Sequence, residues 1–134
     1  MLDACVFCKI AAGEIPADKI YEDEKLLAFL DIKPVNPGHA LIIPKEHFVD
    51  YLETPDEIIA EMAKLAKIIG QKILDSGLGQ GVNITNNIRS AAGQIVGHVH
   101  MHIIPRKEYD GLELWHGNEY HPGQAEDIAS KLRL

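Results

Sequence analysis

The chain has 134 residues with a formal net charge of −7, 46% hydrophobic and 25% charged residues, which suits one soluble domain with one core. The acidic balance argues against a nucleic-acid polymer as partner, because a phosphate backbone calls for a basic surface. No apolar run approaches the roughly 18–20 residues of a membrane span. The start of the chain lacks the basic and apolar regions of a signal peptide, so a cytoplasmic location is expected.

Two cysteines, Cys5 and Cys8, open the chain. A pair this closely spaced makes no disulfide framework. It can be a redox pair, half of a zinc site, or chance. A redox pair belongs at a helix start after a buried strand, and no strand precedes this one. Closed tetrahedral zinc needs two further ligands, and the chain offers seven histidines.

The segment Phe7–Ala12 reads as a short helix stopped by Gly13. Asp18–Glu22 and Leu26–Leu30 read as two strands of a hairpin around Asp23-Glu24, the second apolar enough to be buried. Asp31 ends that strand before the proline-containing loop 32–38. His39–Pro44 is a third strand, stopped by Pro44. Thr54-Pro55-Asp56-Glu57 reads as a capping box, with Thr54 as N-cap, Pro55 at N1 and Glu57 at N3. The helix it opens runs to about Ser76, with Gly77 as its C-cap. Its apolar stripe is Ile58, Met62, Leu65, Ile69 and Ile73, wide enough to cover a sheet and leave an edge for a partner. A homodimer through this helix and a sheet edge is expected.

Gly81–Asn87 is a fourth strand. It should pair antiparallel with the next one through the loop 88–97, whose glycine and small residues allow close approach to phosphate. Then comes His98-Val99-His100-Met101-His102-Ile103-Ile104. Period-two alternation is the mark of a half-buried strand. It sets three imidazoles on one face and Val99, Met101 and Ile103 on the other. Three rings in a row suit an anionic ligand or a metal, since imidazole can act as nucleophile, donor, acid or ligand. A catalytic metal site with an open water position is one reading. A non-catalytic sensor or interaction module is another. After Arg106 the chain is irregular, with a last helix expected near 123–132, resting on Ile128 and Leu132.

The run His98-x-His100-x-His102-Ile103-Ile104 resembles the signature of the histidine triad (HIT) family of nucleotide hydrolases and transferases. Cys5-x-x-Cys8-Lys9-Ile10, Gly13-Glu14-Ile15-Pro16, Ala28-Phe29-Leu30-Asp31-Ile32, Pro37-Gly38-His39, Ile43-Pro44-Lys45-x-His47 and Gly93-Gln94 resemble it in the same order. The resemblance implies an α+β HIT-like fold: an antiparallel sheet of about five strands, one long helix and short flanking helices. A single domain is expected over 1–134, with its core at about residues 5–106 and a C-terminal tail at 107–134. It further implies cleavage at the α-phosphate of adenosine or other purine nucleotide derivatives, such as phosphoramidates or dinucleoside polyphosphates.

In that reading His100 is the nucleophile, His102 donates to phosphate oxygens, and His39 orients the triad. Asp31 would accept from the two ribose hydroxyls, a task suited to an acceptor with two oxygens. Asn87 and Gln94 would contact phosphate or ribose, and Phe7, Ile15, Phe29 and Ile32 would line a base pocket. Relatives with the cysteine pair imply structural zinc on Cys5, Cys8, His47 and His98. Some relatives carry Ser or Thr two residues after the loop glycine to assist the leaving group. Here that residue is Ile95.

Overall fold

The computed structural model describes residues 3–134. Five strands form one sheet: β1 (Lys19–Glu22), β2 (Leu26–Leu30), β3 (Ala40–Pro44), β4 (Gly81–Asn86) and β5 (Met101–Arg106). Their spatial order is β1-β2-β3-β5-β4, and every neighbouring pair is antiparallel. The short helix α1 (Val6–Ala11) lies on one side and the long helix α2 (Asp56–Asp75) on the other, with α3 (Gln124–Leu132) in the tail. No helix among the described residues is long and apolar enough to cross a membrane.

Two apolar clusters sandwich the sheet. Met62, Leu65, Ala66, Ile69 and Ile73 of α2 meet Leu26, Ala28, Ala40, Ile42, Val99, Met101 and Ile103. Phe7 and Ile10 of α1 meet Leu27, Phe29, Leu41 and Ile43 on the opposite face. Residues two apart on a strand share a face, so β2 and β3, buried on both sides, read as unbroken apolar runs. Leu41 is the register partner of His102. The histidine face is therefore the α1 face, and α1 is too short to cover all of it.

Three local expectations are corrected. The hydrogen-bonded strand begins at Met101, not at His98. The preceding segment is held instead by the loop after β3, where Val99 N donates to Phe48 O at 2.8 Å. Alternation survives the change, since Val99, Met101 and Ile103 all enter the α2 core.

The capping box does not form. Thr54 Oγ1 donates back to Asp50 O at 2.8 Å. Asp50 itself caps a tight turn at Tyr51–Glu53. Helix α2 starts after Pro55, with no side-chain cap. Asp56 and Glu57 still place negative charge at its positive end. Lastly, α3 buries no residue, and Leu132 is 73% exposed. Of the two expected anchors, Ile128 is half-buried and Leu132 stands in solvent.

Candidate functional site

The three histidines of the alternating run have three different sets of partners. His98 is fully buried. Its Nε2 donates to Pro44 O at 2.8 Å, so the hydrogen sits there and the Nδ1 lone pair is free. Nδ1 lies 3.4 Å from Cys5 Sγ, 3.5 Å from Cys8 Sγ and 3.1 Å from His47 Nδ1. Cys8 Sγ is 3.3 Å from His47 Nδ1. Zinc bonded to two nitrogens and two sulfurs has tetrahedral edges of about 3.3–3.8 Å, given its bond lengths. The measured separations run at or just below that range, and all four ligand atoms lie within 4.8 Å of one another. A ligating histidine whose other nitrogen donates to a carbonyl is correctly oriented for metal. The four residues fit zinc. Burial pushes the His98 pKa down to about 4, which keeps the ring in its ligating form.

His100 is 7% exposed. Its Nδ1 donates to the backbone carbonyl of His98 at 2.7 Å. The lone pair is therefore on Nε2, the form a nucleophile requires. Desolvation lowers its pKa. Phe7 stands edge-on to this ring at 5.0 Å, and also edge-on to His98 at 5.9 Å and Phe29 at 5.8 Å.

His102, on β5, packs against His100 with ring centroids 5.0 Å apart. Its Nδ1 is 2.9 Å from His39 Nε2. Burial first, then the neighbouring His100 and His39, lowers its pKa to about 4. His39 is 3% exposed, and its pKa is lowered by burial against an opposing pull from Asp31. Asp31 Oδ2 lies 3.8 Å from His39 Nε2, while Oδ1 accepts from Lys33 N at 2.9 Å.

Among the described residues, His98, His100 and His102 do not form one metal-holding group. Each turns to a different partner, which removes the reading of the triad as three ligands around an open water position. A second group close enough for a metal is Asp31, His39 and His102. Val35 N donates to His39 Nδ1 at 3.1 Å. Neutral His39 must then carry its hydrogen on Nε2, so that atom has no lone pair to offer a cation.

The remaining sequence candidates divide. Asn87 has its side chain beside Gly93, whose added Cβ would sit 3.5 Å from Asn87 Nδ2. It lines a cavity of about 530 Å³ with Val35, Thr85, Ile104 and Trp115. Thr85 is the register partner of His102, so the cavity adjoins the histidines. The direct ligand contact expected of Gln94 is not what its bonds give. Its Oε1 accepts from Arg89 N at 2.8 Å, and its Nε2 donates to Val49 O at 2.7 Å and Val96 O at 3.0 Å. The side chain ties the 88–97 loop to the loop after β3.

Arg89 there has φ 69° and ψ 163°, a region favouring glycine and costing about 1–3 kcal/mol otherwise. Of the expected base pocket, Phe7 and Phe29 belong to the α1 core and Ile15 packs at its edge. Ile32 is 88% exposed. One contributor, and one contact of a residue already named, were missed from sequence. The Val35 amide is a backbone group with no residue signature. Phe7 against His100 could have been found only by knowing where α1 docks.

The HIT domain family model matches residues 12–109. "Protein hit" of Bacillus subtilis is 44% identical over 132 residues, covering 96% of this chain and 91% of that one. An adenylylsulfatase of Arabidopsis thaliana is 45% identical over 108 residues, covering 81% of this chain and 55% of that one. An adenosine 5′-monophosphoramidase of Candida albicans is 39% identical over 109 residues, covering 78% and 72%. Among solved structures, a HIT family member from Bacillus subtilis superposes with a TM-score of 0.87 at 42% identity, covering 97% and 95%. A zinc-bound histidine triad protein from Mycobacterium smegmatis gives 0.79 at 44% identity, covering 87% and 84%.

A mixed α/β fold with a histidine-lined sheet face defines the class. The chain belongs to the histidine triad (HIT) family.

Proposed function

We propose that the protein cleaves purine nucleotide derivatives at the α-phosphorus through a covalent nucleotidyl-His100, releasing nucleoside monophosphate. One observation carries this reading. His100 Nδ1 donates to a backbone carbonyl, which leaves the Nε2 lone pair available to bond to phosphorus. In the first step that bond forms and the bond to the leaving group breaks. In the second, water displaces His100 from phosphorus. Two easier displacements replace one difficult one. His102 donates from Nε2 to a non-bridging oxygen and stabilises charge that grows in the transition state. Asp31 keeps one oxygen clear of Lys33 for ribose hydroxyls. Asn87 contributes to the phosphate side, and the cavity beside His102 receives the leaving group.

Support for a nucleotide substrate comes from the family and from relatives named as an adenylylsulfatase and an adenosine 5′-monophosphoramidase. The Cys5, Cys8, His47 and His98 set would hold zinc. When bound, the ion supplies a rigid cross-link between α1, the loop after β3 and the segment leading to His100.

A homodimer through α2 and the free edge of β4 is part of the same proposal. Ile68 and Ile84 are 58% and 50% exposed, apolar surface that a second copy would cover. A monomeric mass by light scattering at micromolar concentration would reject it.

The test is a panel of adenosine derivatives, with AMP release followed and the adduct trapped for mass spectrometry. His100→Ala should abolish turnover and the adduct while leaving AMP binding largely intact. Full activity in that variant overturns the covalent route.

A further inference from the structure

We infer that the backbone amide of Val35 sets the tautomers of His39 and His102, which makes the 32–38 loop a positioning element of the phosphate site. The inference rests on the reading of His102 as the donor to phosphate. It starts from a choice that neutral imidazole must make. One ring nitrogen carries a hydrogen and the other a lone pair, and a fixed donor facing one nitrogen decides the assignment.

Val35 N donates to His39 Nδ1 at 3.1 Å. A hydrogen on Nδ1 would face that N–H head-on, so it sits on Nε2. His39 Nε2 lies 2.9 Å from His102 Nδ1, so it donates there. His102 then accepts on Nδ1 and carries its own hydrogen on Nε2, the nitrogen left for the ligand. Reversing the first bond reverses the rest. With hydrogen on His39 Nδ1, His102 would donate inward and turn a lone pair toward a phosphate oxygen. One backbone N–H thus separates attraction from repulsion at the phosphate. A second hydrogen on either ring would face another N–H, at Val35 N or across the pair, so both rings are neutral, and burial lowers both pKa values in the same direction.

The loop is built to hold that amide still. His39 N donates to Asn36 O at 3.0 Å, closing the turn. Asn36 Nδ2 donates to Pro105 O at 2.9 Å and to Asp110 Oδ2 at 3.1 Å. Asp110 accepts from Arg106 Nε at 2.7 Å and Nη2 at 3.1 Å, one oxygen each. Gly38 at φ +94° packs so closely that an added Cβ would sit 3.2 Å from Pro105 Cγ and 3.3 Å from Leu78 Cδ1. The turn is therefore clamped onto the end of β5, the strand that carries His102. Asn36 is a positioning residue in the same sense as Val35.

The test is direct. Long-range ¹H–¹⁵N correlation on the zinc-loaded, ligand-free protein reads each ring nitrogen. His39 and His102 should each show a protonated Nε2 and an unprotonated Nδ1, and His100 the opposite. A protonated Nδ1 on His39, or averaging between tautomers, overturns the inference.

A second arm replaces the Val35 amide with an ester, keeping the isopropyl side chain but deleting the N–H. The His39 pattern should become mixed. Loss of one oriented donor to a developing oxyanion costs about 10²–10³ in kcat, so a partial loss should read as about tenfold or more, with KM unchanged. Retention of both the tautomers and kcat in the ester overturns the inference. The NMR arm needs no turnover, so inactivity of the native protein with the expected tautomers would count against the hydrolase reading alone.

Discussion

Phe7→Ala separates a wall that supports the nucleophile from a wall that stacks on a base. Phe7 is 7% exposed and lies within the α1 cluster. Truncating a buried phenylalanine costs about 3–5 kcal/mol. Its edge-on contacts with Phe29, His98 and His100, each adding about 0.5–1.5 kcal/mol beyond burial, place it at the upper end. Unfolding entropy for 134 residues is about 0.28 kcal/mol per kelvin, so the midpoint should fall by roughly 10–18 °C.

Calorimetry on zinc-loaded protein measures this, and AMP titration below the transition gives the ligand arm. With the ring engaged on His100, kcat should fall while AMP affinity changes little. A midpoint within about 2 °C of the parent, against the cost of such a truncation, refutes the packing account. A collapse of AMP affinity with kcat preserved refutes the assignment of Phe7 to the nucleophile.

Metal analysis should find one zinc per chain, and stripping it with a chelator should lower the melting midpoint. Cys8→Ala should do the same and make the midpoint insensitive to added zinc; a midpoint that chelation leaves unchanged would contradict the fit of the four ligands. Ile95 is 95% exposed and carries no hydroxyl. Ile95→Ser should therefore raise kcat for amine leaving groups, which need a proton, more than for leaving groups that depart as stable anions. Equal effects on both would remove Ile95 from leaving-group chemistry.

The His102 pKa falls from 6.5 to about 4 on folding. Below 6.5 the unfolded chain takes up a proton that the folded one refuses. Unfolding free energy should hence decline as pH drops from 6.5 toward 4. His102→Asn should flatten that decline in urea titrations across the same window; an unchanged slope would refute the linkage.

Period-two alternation was enough to turn Val99, Met101 and Ile103 to the core and the histidines to the other face, although the hydrogen-bonded strand starts only at Met101, because extended backbone repeats every second residue whatever lies around it. Apolar periodicity likewise located α2 and the buried strands β2 and β3. The ordered family motifs supplied the candidate metal set Cys5, Cys8, His47 and His98, whose ligand atoms converge in space. Residue type misled where a polar group had two partners in reach. Thr54 bonds back to Asp50 rather than forward into α2. Gln94 staples two loops.

Residue identity and spacing determined which side chains share a face, since that depends only on local backbone repeat. Only the tertiary structure decided what each histidine faces. His98 turns to the thiols, His100 to the carbonyl of His98, and His102 to His39, itself aligned by the amide of Val35. Those partners are backbone groups or come from distant parts of the chain. Backbone N–H and C=O groups are the same at almost every residue, so nothing in a string of side chains records where they point.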